Sequence, residues 1–198
     1  MGTEVVIVDS GGANIASLRL AFERLGALAQ VTTDGVTIAS ADRVVLPGVG
    51  AAGHVMQRLR AAGLINVLRT LTQPVLGICL GMQLLFQQSA EGPTPCLNVV
   101  PGVVHGIAPV LGRPVPHMGW NELKKVKADP LLEGIRDRDY AYFVHSFAAG
   151  ISEFTLAATE YGSPFSAVIR RGNFYGAQFH PERSSKVGAR LLQNFLRL

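Results

Sequence analysis

The chain has 198 residues, 48% of them apolar and 16% charged, with a formal net charge of +4. That length suits one domain with a full hydrophobic core, and the apolar content excludes a disordered chain. Two cysteines, Cys79 and Cys96, exclude a secreted disulfide scaffold, and the histidines at 54, 105, 117, 145 and 180 show no metal-ligand spacing.

The N-terminus, Met1-Gly2-Thr3-Glu4, precedes a short apolar run, which predicts neither a signal peptide nor a membrane span and places the chain in the cytoplasm. No basic stripe interleaved with aromatics points to nucleic acid. The one dense basic run, Lys124-Lys125-Val126-Lys127, reads as a solvated loop. Val5-Val6-Ile7-Val8 is wholly apolar and β-branched, as in a strand buried on both faces. Asn14 stands where an N-cap is needed for a helix from Ile15 to Leu25, and Gly26 ends it. Ala27 to Thr32 predicts a second strand, followed by an Asp34-Gly35 turn.

Arg43-Val44-Val45-Leu46 predicts a third strand that runs into Pro47-Gly48-Val49-Gly50. Such a loop offers backbone N–H groups with few side chains in the way, although an ordinary strand-ending turn has the same composition. Residues 54–70 carry a helical apolar pattern. Then Pro74-Val75-Leu76-Gly77-Ile78 leads into Cys79-Leu80-Gly81-Met82-Gln83, with helical spacing continuing to Phe86. A strand, a cysteine at the bend with a glycine two residues to each side, and a helix make the cysteine form of a nucleophile elbow. The turn there predicts a strained backbone at Cys79, with positive φ, and a thiol at a helix N-terminus, where the thiolate is favoured. Taken alone, Gly-x-Cys-x-Gly fits a reactive cysteine and a buried structural one equally well.

Residues 89–97 read as a Pro/Gly loop in which Cys96 is incidental. Short strand-like runs then dominate: Val99 to Ile107, Tyr140 to Ala148, Phe154 to Thr159, Ser166 to Arg170 and Phe174 to Phe179. Gly172-Asn173 between two of them is an antiparallel hairpin signal. Lys186 to Leu198 closes the chain as an amphipathic helix. The expected fold is therefore α/β, with a mainly parallel central sheet flanked by helices and antiparallel strands in the second half, forming one domain over 1–198.

The hairpin ends in Gln178-Phe179-His180-Pro181-Glu182, and Pro181 stops the strand. If the chain stays extended, His180 and Glu182 share one face at a strand's C-terminal end, where open α/β sheets place their sites. A carboxylate beside a histidine fixes its tautomer and stabilises the imidazolium. Cysteine nucleophile, histidine, carboxylate and backbone oxyanion donors together make acyl-transfer machinery.

Pro47-Gly48-Val49-Gly50, Gly77-Ile78-Cys79-Leu80-Gly81-Met82-Gln83 and Gln178-Phe179-His180-Pro181-Glu182 resemble, in order and spacing, the three signatures of class I glutamine amidotransferases. Pro116-His117-Met118-Gly119-Trp120-Asn121 and Tyr142-Phe143-Val144-His145-Ser146-Phe147 further resemble the glutaminase subunits of imidazole glycerol phosphate synthases, which serve histidine biosynthesis. The resemblance implies a Cys79-His180-Glu182 triad acting on L-glutamine, with no metal and no organic cofactor. It implies an oxyanion hole from the N–H of Leu80 and one from the Val49–Gly50 region. It assigns glutamine binding to Gln83 and to the backbone of Ser146 and Phe147. It also implies a heterodimer with a β/α-barrel cyclase subunit that receives the ammonia, with Asn14, Met118, Trp120 and Arg183 on the docking face. Ala51-Ala52 and Phe147 stand where phenylalanine and tyrosine, respectively, are frequent in the family. The same chemistry in anthranilate, aminodeoxychorismate or pyridoxal phosphate synthesis, a non-catalytic subunit of the same fold and a cysteine peptidase are the alternatives. The His-Met-Gly-Trp-Asn stretch and the complete triad signatures argue against them.

Overall fold

A computed structural model describes residues 2–11 and 15–198. The first half alternates strand and helix: β1 (Glu4–Val8), α1 (Ile15–Arg24), β2 (Leu28–Thr32), α2 (Gly35–Ser40), β3 (Arg43–Leu46), α3 (Ala52–Ala61), α4 (Leu64–Arg69), β4 (Val75–Ile78) and α5 (Leu80–Leu84). The second half is strand-rich: β5 (Phe86–Ser89), β6 (Thr94–Pro95), β7 (Val100–Gly106), β8 (His117–Glu122), β9 (Lys124–Lys125), β10 (Tyr140–His145), β11 (Phe147–Ala149), β12 (Thr155–Tyr161), β13 (Ser163–Arg171) and β14 (Phe174–Ala177). Helix α6 (Ser185–Arg197) ends it, and single 3-10 turns occupy Pro130–Leu132 and Pro181–Arg183.

Among the described residues, eight strands form the central sheet in the order β2-β1-β3-β4-β14-β13-β12-β9. From β2 to β14 neighbours run parallel, and β13, β12 and β9 extend the sheet antiparallel. Strand β1 shows why both faces are covered. Val5 and Ile7 join a core with Leu18 and Phe22 of α1 and Leu191, Leu192 and Phe195 of α6. Val6 and Val8 point the other way, into a core with Ile38, Leu59, Leu64 and Leu80. Leu191, Leu192 and Phe195 are each fully buried, a contribution of about 2 kcal/mol apiece.

Local chemistry departs from the sequence reading in four places. Asp34 does not simply turn the chain: its carboxylate accepts from the Thr37 N–H at 2.8 Å and caps α2. The single helix expected over 54–70 is two helices, broken at Gly63, whose φ of 70° stops the first turn of continuation. The helical run after Cys79 ends at Leu84, and the chain turns into β5. Residues 117–122 are a strand, and Lys124–Lys125 pair as an exposed sheet edge instead of a free loop.

The Gly172-Asn173 hairpin forms as expected, with Arg171 opposite Phe174. Asn173 anchors it: its side-chain amide donates to the carbonyls of Leu71 and Gln73, both at 2.8 Å, and its own carbonyl accepts from the Val75 N–H. Strand β14 is thereby laid beside β4, which brings the residues after both strands to one end of the sheet. Outside this sheet, β8 and β10 make a two-stranded ribbon, and β11, β7, β5 and β6 a four-stranded one.

Candidate active site

The elbow follows from glycine geometry. Cys79 sits at φ 53°, ψ −113°, between β4 and α5. A Cβ on Gly81 would lie 1.8 Å from the Leu46 carbonyl oxygen, and one on Gly77 2.6 Å from the Gly81 carbonyl oxygen. Only glycines let the three segments cross this closely. A Cβ on Gly48 would meet Leu80 and the Gly81 nitrogen within 3 Å, so the Pro47–Gly50 loop lies directly on the elbow. The Ser10 hydroxyl donates to the Pro47 carbonyl at 2.8 Å and pins the loop's first residue. The Leu80 N–H is in the first turn of a helix, where no intrahelical acceptor exists.

His180 and Glu182 reach the elbow from β14. The expectation of an extended chain through Pro181 is corrected, since Pro181–Arg183 forms a 3-10 turn. The pairing nevertheless results: His180 Nδ1 donates to Glu182 Oε1 at 2.8 Å, with both side chains almost fully buried. With Nδ1 engaged, Nε2 is the ring nitrogen left free to serve the Cys79 thiol. Burial by itself lowers the His180 pKa, but hydrogen bonds to Cys79 and Glu182 outweigh it and raise the pKa to about 10. The backbone is clamped too. The Ser184 hydroxyl donates to the His180 carbonyl at 2.7 Å and accepts from the Tyr142 N–H at 2.9 Å.

A cavity of about 450 Å³ opens over these groups, lined by Gly48, Val49, Gly50, Cys79, Leu80, Gln83, Ser146, Phe147, His180 and Arg183, with Glu91 and His145 on its wall. Gln178, fully buried, donates to the Cys79 sulfur at 3.8 Å and accepts from Gln83 Nε2 at 3.0 Å. Gln83 Nε2 also donates to the Phe147 carbonyl at 2.7 Å. Both amide protons of Gln83 are thus engaged, and its carbonyl oxygen is the atom it can offer a ligand. Glu91 escaped the sequence reading, which saw only a Pro/Gly loop there. Its Oε2 accepts from the Ala52 N–H at 2.7 Å, at the start of α3, and this fixes a carboxylate beside the cavity.

Of the docking residues expected from sequence, Met118 and Trp120 are exposed on β8 (63% and 53%), so Trp120 is not a core tryptophan. Trp120 meets the Tyr142 ring edge-on at 5.9 Å, and the Arg183 guanidinium lies 6.0 Å over the same ring. Asn14 lies outside the described residues. Cys96 is away from this cavity, and burial pushes its thiol up to about 11, the wrong direction for a nucleophile. Among the described residues no group of three or more His, Cys, Asp or Glu is placed to hold a metal, and no helix is long and apolar enough to cross a membrane.

The family model for glutamine amidotransferase class-I matches residues 6–198. The chain belongs to the class I glutamine amidotransferases. It is 52% identical over 196 residues to the imidazole glycerol phosphate synthase subunit HisH of Xanthomonas oryzae pv. oryzae, covering 99% of this chain and 98% of that one. The HisH subunit of Colwellia psychrerythraea is 49% identical, covering 98% and 92%. Solved structures titled as a glutamine amidotransferase (TM-score 0.75, 22% identity, 98% of this chain and 97% of that one) and as PurLQS from Thermotoga maritima (0.74, 19%, 100% and 99%) share the amidotransferase fold.

Proposed function

We propose that the chain is one glutamine amidotransferase domain, the glutaminase subunit of an imidazole glycerol phosphate synthase in histidine biosynthesis, working in the cytoplasm. HisH relatives at about half identity over nearly the full length support the pathway. One observation carries the chemistry: a strained cysteine, a carboxylate-held histidine and a glycine-rich backbone loop all face the same cavity.

In this reading the Cys79 thiolate attacks the side-chain carboxamide carbon of L-glutamine and a C–S bond forms. The N–H groups of Leu80 and of the Val49–Gly50 region hold the oxyanion, donors whose individual loss costs ~100- to 1000-fold. His180 gives its proton to the departing nitrogen as the C–N bond breaks, and ammonia leaves. Water, activated by His180, then cleaves the thioester to glutamate. Glu182 holds the His180 tautomer and balances its charge. The Gln83 carbonyl and the backbone of Ser146 and Phe147 bind the amino-acid end of glutamine, and Glu91 faces its ammonium as a counter-charge.

The ammonia passes to a separate β/α-barrel cyclase subunit that docks over the cavity mouth in a heterodimer. The exposed Met118 and Trp120, with Arg183 at the rim, support that face. Glutamate release measured with the purified chain alone and with its cyclase partner tests the proposal. A large rise on adding the partner is expected, because the Gly48–Val49 peptide is then set to face the oxyanion. Equal turnover in both samples sinks the activation claim, and no glutamate in either sinks the function.

A further inference from the structure

His117 and His145 have no role in the chemistry above, yet both are buried and bonded to each other, His117 Nδ1 to His145 Nε2 at 3.0 Å. Strands β8 and β10 place them directly opposite one another. Their neighbours fix every proton. The Phe147 carbonyl can only accept, so His145 Nδ1, 2.8 Å away, carries the hydrogen. His145 Nε2 is then the acceptor, and His117 Nδ1 must donate to it. His117 Nε2 accepts in turn from the side-chain amide of Asn121 at 3.3 Å, an amide oriented by its second bond, to the Glu160 carbonyl at 3.1 Å. The result is a polarised chain, Asn121 to His117 to His145 to the Phe147 carbonyl.

The chain has no place for a further proton. An added proton on either ring would set N–H against N–H. Burial disfavours the charge, and the His180 imidazolium is a further positive group acting on His145. Aromatic packing holds the rings: His117 stacks on Tyr161 at 4.0 Å and on Phe143 at 5.0 Å, and His145 meets Phe165 at 5.0 Å. The terminus of the chain is informative. The Phe147 carbonyl receives both His145 Nδ1–H and Gln83 Nε2–H, and Phe147 and Ser146 line the cavity above Cys79.

We propose that His145, locked by His117 as its neutral Nδ1–H tautomer, holds the Ser146–Phe147 backbone and Gln83 in the geometry that binds glutamine, a lock that an amide donor at the same place does not need. The two histidines are positioning residues, not catalytic ones, and the inference rests on the glutamine amidotransferase reading. Its substrate-side prediction is a change in glutamine KM with kcat retained.

The test compares two substitutions in the complex with the cyclase partner. The amide nitrogen of His145→Asn takes the place of Nδ1 and keeps the donor to Phe147. The amide of His145→Gln takes the place of Nε2 and loses it. Loss of one such hydrogen bond corresponds to roughly a tenfold effect. His145→Gln is expected to raise glutamine KM about tenfold with kcat within about threefold, and His145→Asn to stay within about threefold of wild type in both. A His145→Gln enzyme with wild-type KM overturns the inference, as does a His145→Asn enzyme impaired like His145→Gln. A wild-type complex that releases no glutamate overturns the amidotransferase reading and this inference with it. Nitrogen-15 spectra of histidine-labelled wild-type chain give a test that needs no variant. Both rings are expected as neutral Nδ1–H tautomers at pH 7, and an Nε2–H tautomer or an imidazolium on either ring contradicts the lock.

Discussion

Two residues decide what the cavity can do. Cys79 adopts a φ of 53°, uncommon for a side chain with a Cβ, and strain of this kind is held only where the surroundings over-determine it. Here the crossing glycines do so. His180 is held protonated by Cys79 and Glu182 in a place where burial alone would strip its charge. Glu182→Gln preserves the shape but removes the negative charge beside Nδ1. The His180 pKa should then fall from about 10 toward its ordinary value, with kcat for glutamine lowered about tenfold or more. Titration of the His180 ring by NMR checks the first part, and an unmoved pKa contradicts the assignment of Glu182 as a partner that, with Cys79, stabilises the charge.

At the level of elements, the placement of Cys79, His180 and Glu182 depends on how closely helices and turns approach. A Cβ on Gly188 in α6 would lie 1.8 Å from the Pro181 carbonyl oxygen, in the turn between His180 and Glu182. Gly188→Ala must push that turn away, and a loss of roughly 1–3 kcal/mol is expected in urea unfolding, together with weaker glutaminase activity. Gly150→Ala, where an added Cβ meets nothing within 4 Å, serves as the control and should change stability by less than about 0.5 kcal/mol. The elements differ in how legible they were. Strand β1 and the Gly172-Asn173 hairpin were readable because their signals are local: a β-branched apolar run and a turn dipeptide. The elbow was readable because its glycine spacing encodes one backbone crossing. Strand β8 was not, since His117 to Glu122 becomes a strand only by pairing with the distant β10, where His117 lies opposite His145. Glu91 was missed because its place is set by a bond to Ala52, 39 positions earlier. The histidine pair escaped notice for the same reason: its members are 28 residues apart and meet through strand register.

For the whole molecule, buried histidines of opposite behaviour set the pH range of the fold. Burial lowers the pKa of His117 and of His145 to about 4, so their neutral forms support the fold fully above pH 6.5, and that support is lost as pH falls toward 4. The raised pKa of His180 works in the other direction: its contribution is complete below pH 6.5 and gone above about 10. Urea unfolding is therefore expected to show stability falling from pH 6.5 to 5, before most carboxylates titrate, with a shallower fall in His145→Asn. An identical slope in that variant contradicts the assignment. The exposed Met118 and Trp120 on β8 are the apolar surface that the proposed cyclase partner would cover, and the proposed function has ammonia delivered to that partner. The most direct test of that account is Cys79→Ala, which leaves the backbone demand at this position the same as for cysteine. Assembled with its cyclase partner, the variant should lose all glutamine-driven synthesis and retain synthesis driven by added ammonium salt. Retention of glutamine-driven turnover, or loss of both activities, would contradict it.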